Sequence, residues 1–493
     1  MVESRQRKSR QALNLGGTNP HDERQSKSKN KLKSKIIFQN KRYDLPERFF
    51  HMNKEKISVI TLGCSKNTVD SERLMSQLKL NKFDLIGDPN KADSVVINTC
   101  GFIDAAKEES INTILSAIEL KKKGKLKKVI VAGCLSERYM NDLMKEIPEV
   151  DAFFGTEAYE GIVREFGGNL KYELLGERIV TTPKHFAYLK ISEGCDNPCS
   201  FCAIPLMRGV HKTKPMDELV NEASLLAAKG VKELILIGQD TTDYGIDLYG
   251  KRNIAELLRK LSGIAGIEWI RLLYVYPSHL PDDLIEEIAV NPKICKYIDI
   301  PLQHISDNVL KSMRRGITKR RTIELLQQLK ERIPNLTLRT TFIVGYPNET
   351  ENEFEELCGF VRDIKFDRFG VFNYSVEENT PSFILNDPIP LETKEERKAT
   401  LMEIQKNISE EKNRMFIGKK MKVVIDAFEN NQYIGRTERD APEVDGEVII
   451  DAKKGALEIG EFYDVEIYDC NEYDLFGNLT KVSELHTQAK ESQ

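Results

Sequence analysis

Cysteine is scarce: nine in 493 residues are too few for a disulfide scaffold. No uninterrupted apolar run approaches the ~18–20 residues of a membrane helix, which excludes a helical membrane span. The basic N-terminus has no apolar core behind it, so it does not read as a secretory signal. With no such signal and so few cysteines, the expected location is the reducing cytoplasm, without a membrane. There, clustered cysteines read as metal ligands before bridges. Composition is otherwise that of a globular protein, 40% hydrophobic and 30% charged, with length for about three domains.

The net charge of -4 conceals an asymmetry. Residues 1–56 hold 15 Lys and Arg against 6 Asp and Glu, a local +9, so the remaining residues carry -13. Residues 1–54 are rich in Ser, Asn and Gln and read as a basic disordered extension. Contact with RNA through this tail stays open, beside the plainer reading of a solvated extension. Met52 precedes the first ordered pattern and is a candidate translation start.

From Ile57 the pattern alternates short apolar strands with amphipathic helices. Strands are expected at Ile57–Leu62, Ser94–Asn98 and Lys128–Ala132, with helices near Ser71–Leu80, Ala105–Lys122 and Ser136–Ile147. This alternation predicts a parallel α/β sheet domain over residues 55–175. A second series, residues 181–412, offers strands at Phe186–Ser192, Glu233–Gly238, Trp269–Tyr276, Tyr297–Leu302, Thr337–Val344 and Arg368–Tyr374. Six βα-like units fall short of the eight of a closed barrel and predict an open (β/α)₆ partial TIM barrel, with reactive groups beyond the strands' C-terminal ends. After a Pro-containing linker at Pro381–Pro390 and a charged helix, the runs Lys422–Phe428, Gly446–Ile450 and Tyr463–Tyr468 predict a small antiparallel β-barrel over residues 415–485.

The sharpest chemical signal is Cys195-x₃-Cys199-x₂-Cys202, just past the first strand of the six-strand series. Three thiolates suit a soft metal or an iron–sulfur cluster, and a missing fourth ligand leaves a site open for chemistry. The alternative is a structural zinc completed by His211, but no second C-x₂-C or H-x₃-H pair accompanies it. Cys64, Cys100 and Cys134, spaced 36 and 34 residues apart, each follow an expected strand of the first domain. Strand ends of a parallel sheet share one edge, so these three can converge on a second cluster. Cys295, Cys358 and Cys470 share no such pattern and read as packing. Side chains at strand ends of the second series, Gln239, Asp240, Gln303, His304 and Tyr374, are expected at the barrel mouth, with Arg339 a weaker candidate on the fifth strand. No residue declares itself a general base.

The triad with Phe201 between its last two cysteines resembles the signature of radical S-adenosylmethionine (SAM) enzymes. That resemblance implies a 4Fe-4S cluster on Cys195, Cys199 and Cys202, SAM on its open iron, Phe201 against the adenine, and a 5′-deoxyadenosyl radical from one-electron cleavage. Gln239, Gln303 and Arg339 are then candidate SAM contacts, and Asp240, His304 and Tyr374 candidate substrate contacts. Two cysteine trios and a C-terminal barrel resemble the methylthiotransferase branch, over about residues 55–485. The branch implies an auxiliary 4Fe-4S cluster on Cys64, Cys100 and Cys134, a C-terminal TRAM domain engaging substrate, and SAM as both methyl donor and radical source. It also implies a sulfur donor and an electron donor such as flavodoxin or ferredoxin.

Substrate choice within the branch turns on charge. Residues 415–481 carry 8 Lys and Arg against 15 Asp and Glu. That balance repels phosphates and suits a basic protein. The segments Gly194–Pro205, Arg271–Pro277, Ile300–His304 and Arg436–Gly446 look like the relatives that methylthiolate the β-carbon of an aspartate in small-subunit ribosomal protein S12. A tRNA adenosine methylthiotransferase and a non-enzymatic iron–sulfur redox sensor are the alternatives.

Overall fold

The computed structural model describes residues 55–174, 176–454 and 456–480; the extension expected over 1–54 lies outside them. The first five strands, β1 (Lys56–Thr61), β2 (Asp84–Leu85), β3 (Ser94–Thr99), β4 (Lys128–Gly133) and β5 (Ala152–Phe153), form a parallel sheet in the order β2-β1-β3-β4-β5. Every residue of β3 is buried, as expected where helices cover both faces. The helices are α1 (Ser65–Leu80), α2 (Asp104–Lys122), α3 (Cys134–Glu146) and α4 (Tyr159–Glu165). Helix α1 starts six residues before the sequence expectation. Its first turns, Lys66, Asn67, Asp70, Ser71, Glu72 and Arg73, are polar yet buried, because they lie between this sheet and the central domain.

The central domain begins with β6 (Phe186–Lys190). A short ladder of β7 (Ser192–Glu193) and β8 (Lys212–Thr213) brackets helix α5 (Ile204–Arg208). Then follow α6 (Met216–Ala228), β9 (Glu233–Ile237), α7 (Ile246–Tyr249), α8 (Ile254–Ser262), β10 (Trp269–Leu272), α9 (Asp282–Val290), β11 (Ile294–Asp299), α10 (Asp307–Ser312), α11 (Lys319–Arg332), β12 (Thr337–Val344), α12 (Glu351–Ile364), β13 (Arg368–Asn373) and α13 (Leu391–Arg414). The six strands pair in chain order from β6, through β9, to β13, all parallel, with no pairing between the two edges. This is the expected open six-stranded barrel sheet. Strand β10 stops at Leu272 rather than Tyr276, because Tyr274 takes a left-handed φ of 61° and its carbonyl accepts from the Thr241 amide. Ala187, Leu189, Leu234, Leu236 and Ile270 pack against the helices, and the alternate residues line the opposite face.

The C-terminal strands β14 (Lys420–Glu429), β15 (Gln432–Thr437), β16 (Val448–Asp451), β17 (Phe462–Cys470) and β18 (Leu475–Leu479) close into a barrel. Its ladders are antiparallel except β16 with β18, which run parallel. The sequence pattern did not announce β15 or β18. Each contains a glycine where a Cβ would meet a neighbour: Gly435 at 2.6 Å from Val423 and Gly477 at 2.2 Å from Val465. The narrow barrel needs those bare positions, and they dilute the strand signal.

The segment Arg436–Gly446 packs on the helix-free face of the central sheet. Ala441 and Val424 join Tyr188, Ile235, Trp269 and Tyr297 in one apolar cluster. Tyr297 donates to Asp445 (2.6 Å), Tyr188 to Glu443 (2.9 Å), and Arg436 to Glu233 (2.9 Å). Arg368 pairs with Asp440, and Arg339 lies 3.4 Å from Asp445. Six of the fifteen acids counted in this domain, Asp426, Asp440, Glu443, Asp445, Glu461 and Glu472, thus pair with side chains of the protein. The outward negative field is correspondingly smaller than the sequence count.

Candidate functional site

The parallel register places Thr61 beside Asn98 and Thr99 beside Gly133, so the three segments that follow leave one edge side by side. Cys64 caps α1 in an extended conformation, Cys100 follows β3 directly, and Cys134 opens α3. Asn67 ties them together. Its amide donates to the carbonyls of Leu62 (2.7 Å) and Thr99 (3.0 Å), and its Oδ1 lies 3.8 Å from the Cys134 sulfur. Gly63, at φ 86°, admits Cys100; a Cβ there would stand 2.8 Å from that sulfur. Burial pushes the Cys134 thiol up to about 12 and also raises Cys100, the nearby Cys64 adding to both.

The second trio lies in the loop between β7 and α5. Asn197 donates toward the Cys195 sulfur (3.4 Å) and to Asp240 (2.7 Å). Arg315 donates to the Cys199 sulfur at 3.2 Å, and the Tyr276 hydroxyl lies 3.5 Å from it. Ser200 is anchored to the carbonyls of Met313 and Ser312. Burial raises Cys195 to about 11 and Cys202 to about 12. Sulfurs this desolvated are protonated at neutral pH unless a metal replaces the proton. With donors aimed at both trios, the Arg208 side chain at Cys134 and the Phe102 amide at Cys100 in the first, both suit an iron–sulfur cluster.

The first trio lies against α5. Cys134 packs with Ala203 and Met207, so the first trio touches the residue immediately after Cys202. Arg208, at the end of α5, donates to Asn67 Oδ1 (2.5 Å), Asp70 (3.1 Å) and Glu193 (2.8 Å). Lys190, fully buried at the end of β6, pairs with Asp70, Glu157 and Glu193. Burial alone would raise Asp70 and Glu193, but Lys190 and Arg208 hold both below the usual carboxylate range. These three carboxylates lie within 4.8 Å of one another, a spacing suited to a metal ion. The Lys190 ammonium takes that central position instead. Deeper in the seam, Arg73 pairs with Glu222, and Arg178 with Glu72 and Glu222.

Among the residues expected at the mouth, Gln239 donates to Glu193 (2.9 Å) and Gln303 takes φ 72° beside β12. Both keep a buried Oε1 without a donor. Two orphaned acceptors fit a ligand bringing N–H and O–H groups, as SAM does. Asp240 accepts from Asn197 and from the Thr242 amide, so it steadies the cysteine loop. Phe201 sits half-buried among Val309, Met313, Tyr346 and Tyr374. Three more expected residues have partners in the surrounding structure. His304 is fully buried, accepts from the Ser306 amide and faces Glu349, its Nε2 making no hydrogen bond. Tyr374 is buried against Tyr346 with its hydroxyl on Ser382, in the cluster that carries Phe201. Arg339 is shared by Asp299 and Asp445 at the junction with the C-terminal barrel.

Sequence reasoning missed Lys66, Asn67, Asp70, Lys190, Glu193, Arg208 and Arg315. The available signal was the polar run directly after Cys64, which reads as solvent-facing when its helix is taken alone.

The radical SAM superfamily model matches residues 189–361, the model of uncharacterized protein family UPF0004 matches 56–155, and the TRAM domain model matches 417–480. Ribosomal protein uS12 methylthiotransferase RimO of Christiangramia forsetii is 54% identical over 440 residues, covering 89% of this chain and 98% of that protein. RimO of Bacteroides thetaiotaomicron is 50% identical over 431 residues, covering 87% and 99%. Among solved structures, the radical SAM methyltransferase TsrM of Kitasatospora setae, with tryptophan and a SAM analog bound, aligns with a TM-score of 0.52 at 13% identity. It covers 67% of this chain and 75% of that one. This last likeness is one of fold.

Proposed function

The chain belongs to the RimO family of ribosomal protein uS12 methylthiotransferases, and on that premise we propose how its residues divide the work. It is a radical SAM transferase acting on small-subunit ribosomal protein S12. The radical SAM match carries an iron–sulfur cluster and SAM with it. In our reading Cys195, Cys199 and Cys202 hold the cluster that binds SAM, and Cys64, Cys100 and Cys134 hold a second. When bound, these groups supply one-electron cleavage of the SAM sulfonium and a sulfur for transfer. The target is the β-carbon of an aspartate. An electron donor such as flavodoxin or ferredoxin and a sulfur donor complete the system, in the cytoplasm.

The protein's own contribution is placement. Asn67 fixes the mutual position of the first trio, and Arg315, Tyr276 and Asn197 fix the second. Gln239 and Gln303 offer acceptors to the SAM amino and hydroxyl groups, and Phe201 offers an apolar wall. Asp240 orients Asn197. The observation that carries this reading is Cys134 packed on Ala203, the residue immediately after Cys202.

The test is an anaerobic competition with reconstituted enzyme, reductant, SAM, sulfide, S12 and bulk transfer RNA in one tube. Mass spectrometry is expected to find a methylthio group on an S12 aspartate and unchanged RNA. A methylthio group on adenosine would overturn the substrate assignment.

A further inference from the structure

On helix α1, Asn67, Asp70 and Arg73 all find partners in the seam; Lys66 does not. Its residue is only 8% exposed, yet among the described residues its ammonium meets no carboxylate and no hydrogen-bond acceptor. What it meets is the face of Tyr274, 3.1 Å from the ring centroid. An ammonium carries three donors, and one aromatic face engages it from a single side. The nearby carboxylates are engaged elsewhere: Asp70 by Lys190 and Arg208, and Asp299 by the Tyr274 amide and Arg339. An ammonium held on one aromatic face and paired with no carboxylate is open to an anion from outside the chain.

Its position says which one. Lys66 follows Cys64 by two residues, and Tyr274 precedes Tyr276, the neighbour of the Cys199 sulfur, by two. The Lys66–Tyr274 contact therefore joins the helix that opens at Cys64 to the segment whose Tyr276 meets the Cys199 sulfur. The geometry points to Lys66 as the residue that takes the side-chain carboxylate of the substrate aspartate, with Tyr274 as its backrest. This rests on the reading that an S12 aspartate is the target. In aspartate the β-carbon is bonded directly to the carboxylate carbon, so gripping the carboxylate fixes the carbon to be modified. The left-handed backbone of Tyr274 holds the ring under the ammonium and restricts the lysine's rotamers. The carboxylate of SAM is the competing anion, and a separate arm of the test addresses it.

The experiment uses reconstituted enzyme with SAM under anaerobic conditions. Binding is measured for labelled S12 with its target aspartate and for S12 with asparagine there, and SAM affinity is measured by equilibrium dialysis. Wild type is expected to favour aspartate by roughly 30-fold or more. Lys66→Met should bring that ratio to about one with SAM affinity unchanged, and Lys66→Arg should retain a preference. A Lys66→Met protein that still discriminates overturns the assignment, as does one whose SAM affinity falls while discrimination persists. Should Lys66→Met fail to load iron, Tyr274→Leu serves: a reduced ratio supports the assignment and an unchanged ratio overturns it. If wild type modifies S12 but binds both forms equally, the role of Lys66 falls and the family reading stands. If wild type binds neither form, the substrate reading falls as well.

Discussion

Replacing Lys190 by methionine removes the cation at the centre of Asp70, Glu157 and Glu193. Breaking a buried ion pair from one side costs about 3–5 kcal/mol. Two features lower the figure here. Arg208 still reaches Asp70 and Glu193, and the Glu157 side chain, 36% exposed, can rehydrate. A ceiling comes from protonation: holding an ordinary carboxyl of pKa ~4.3 neutral costs about 3.7 kcal/mol at pH 7 but only about 1 kcal/mol at pH 5. The expected destabilisation is therefore roughly 3 kcal/mol at pH 7 and about 1 kcal/mol at pH 5. The wild type behaves in the opposite sense. Asp70 and Glu193 lie below their usual range when folded, so their contribution is full above the unfolded value and fades as pH falls through the folded one. Lys190 is raised, so its contribution is lost only at high pH. Urea unfolding followed by the single tryptophan, Trp269, buried against Tyr188 and Phe462, supplies the readout. The variant should also recover stability in millimolar Ca²⁺, since its three carboxylates lie within 4.8 Å. A wild-type-to-variant difference that stays constant from pH 7 to pH 5 would refute the reasoning.

Four further outcomes are expected. Alanine at Cys64, Cys100 and Cys134 together should lower iron from about eight to about four per chain and leave SAM cleavage by reductant intact; iron analysis beside 5′-deoxyadenosine quantification reads both. Arg315→Met withdraws a charged donor from the Cys199 sulfur. It should lower the potential of that cluster by up to roughly 65–130 mV in an EPR-monitored redox titration. Asn67→Ala releases the loops before Cys64 and Cys100, so iron retention by the first trio should fall on gel filtration while the second trio keeps its share. Asp440→Ala leaves Arg368 without its carboxylate, at about 3 kcal/mol or more. Red-shifted Trp269 emission should report the loosened junction with the C-terminal barrel; unchanged emission and midpoint would count against the docking role of Arg436–Gly446.

All six central strands were legible because their signal is local: a short apolar run bounded by polar and turn residues. Thr337–Val344 matches its expected limits, and its alternating burial explains why. The start of α1 was not legible. Asn67, Asp70 and Arg73 look solvent-facing in isolation, and they are buried only because partners 80 to 150 residues away, Tyr159, Lys190, Arg208 and Glu222, bring complementary polar and charged groups. For the same reason strand-end position alone did not show that Gln239, Gln303 and His304 each keep one buried polar atom unpaired while the Tyr374 hydroxyl is taken by Ser382. The acidity of the C-terminal barrel was legible as a number but not as a direction. Asp440 and Asp445 are spent on arginines of the central sheet.

The unpaired edges of the central sheet, β6 and β13, are spanned by the N-terminal domain. Helix α1 packs on β6, while Lys107 and Arg138 reach Glu377, just after β13. Those last contacts join residues 270 and 239 positions apart. At a synthesis rate of ~5–20 residues per second, the first domain leaves the ribosome on the order of ten to fifty seconds before its second anchor exists. During that interval the cysteine edge can already meet Ala203 and Met207, which emerge soon after the first domain. The order of synthesis thus leaves the first domain held at β6 alone until Glu377 supplies its second anchor.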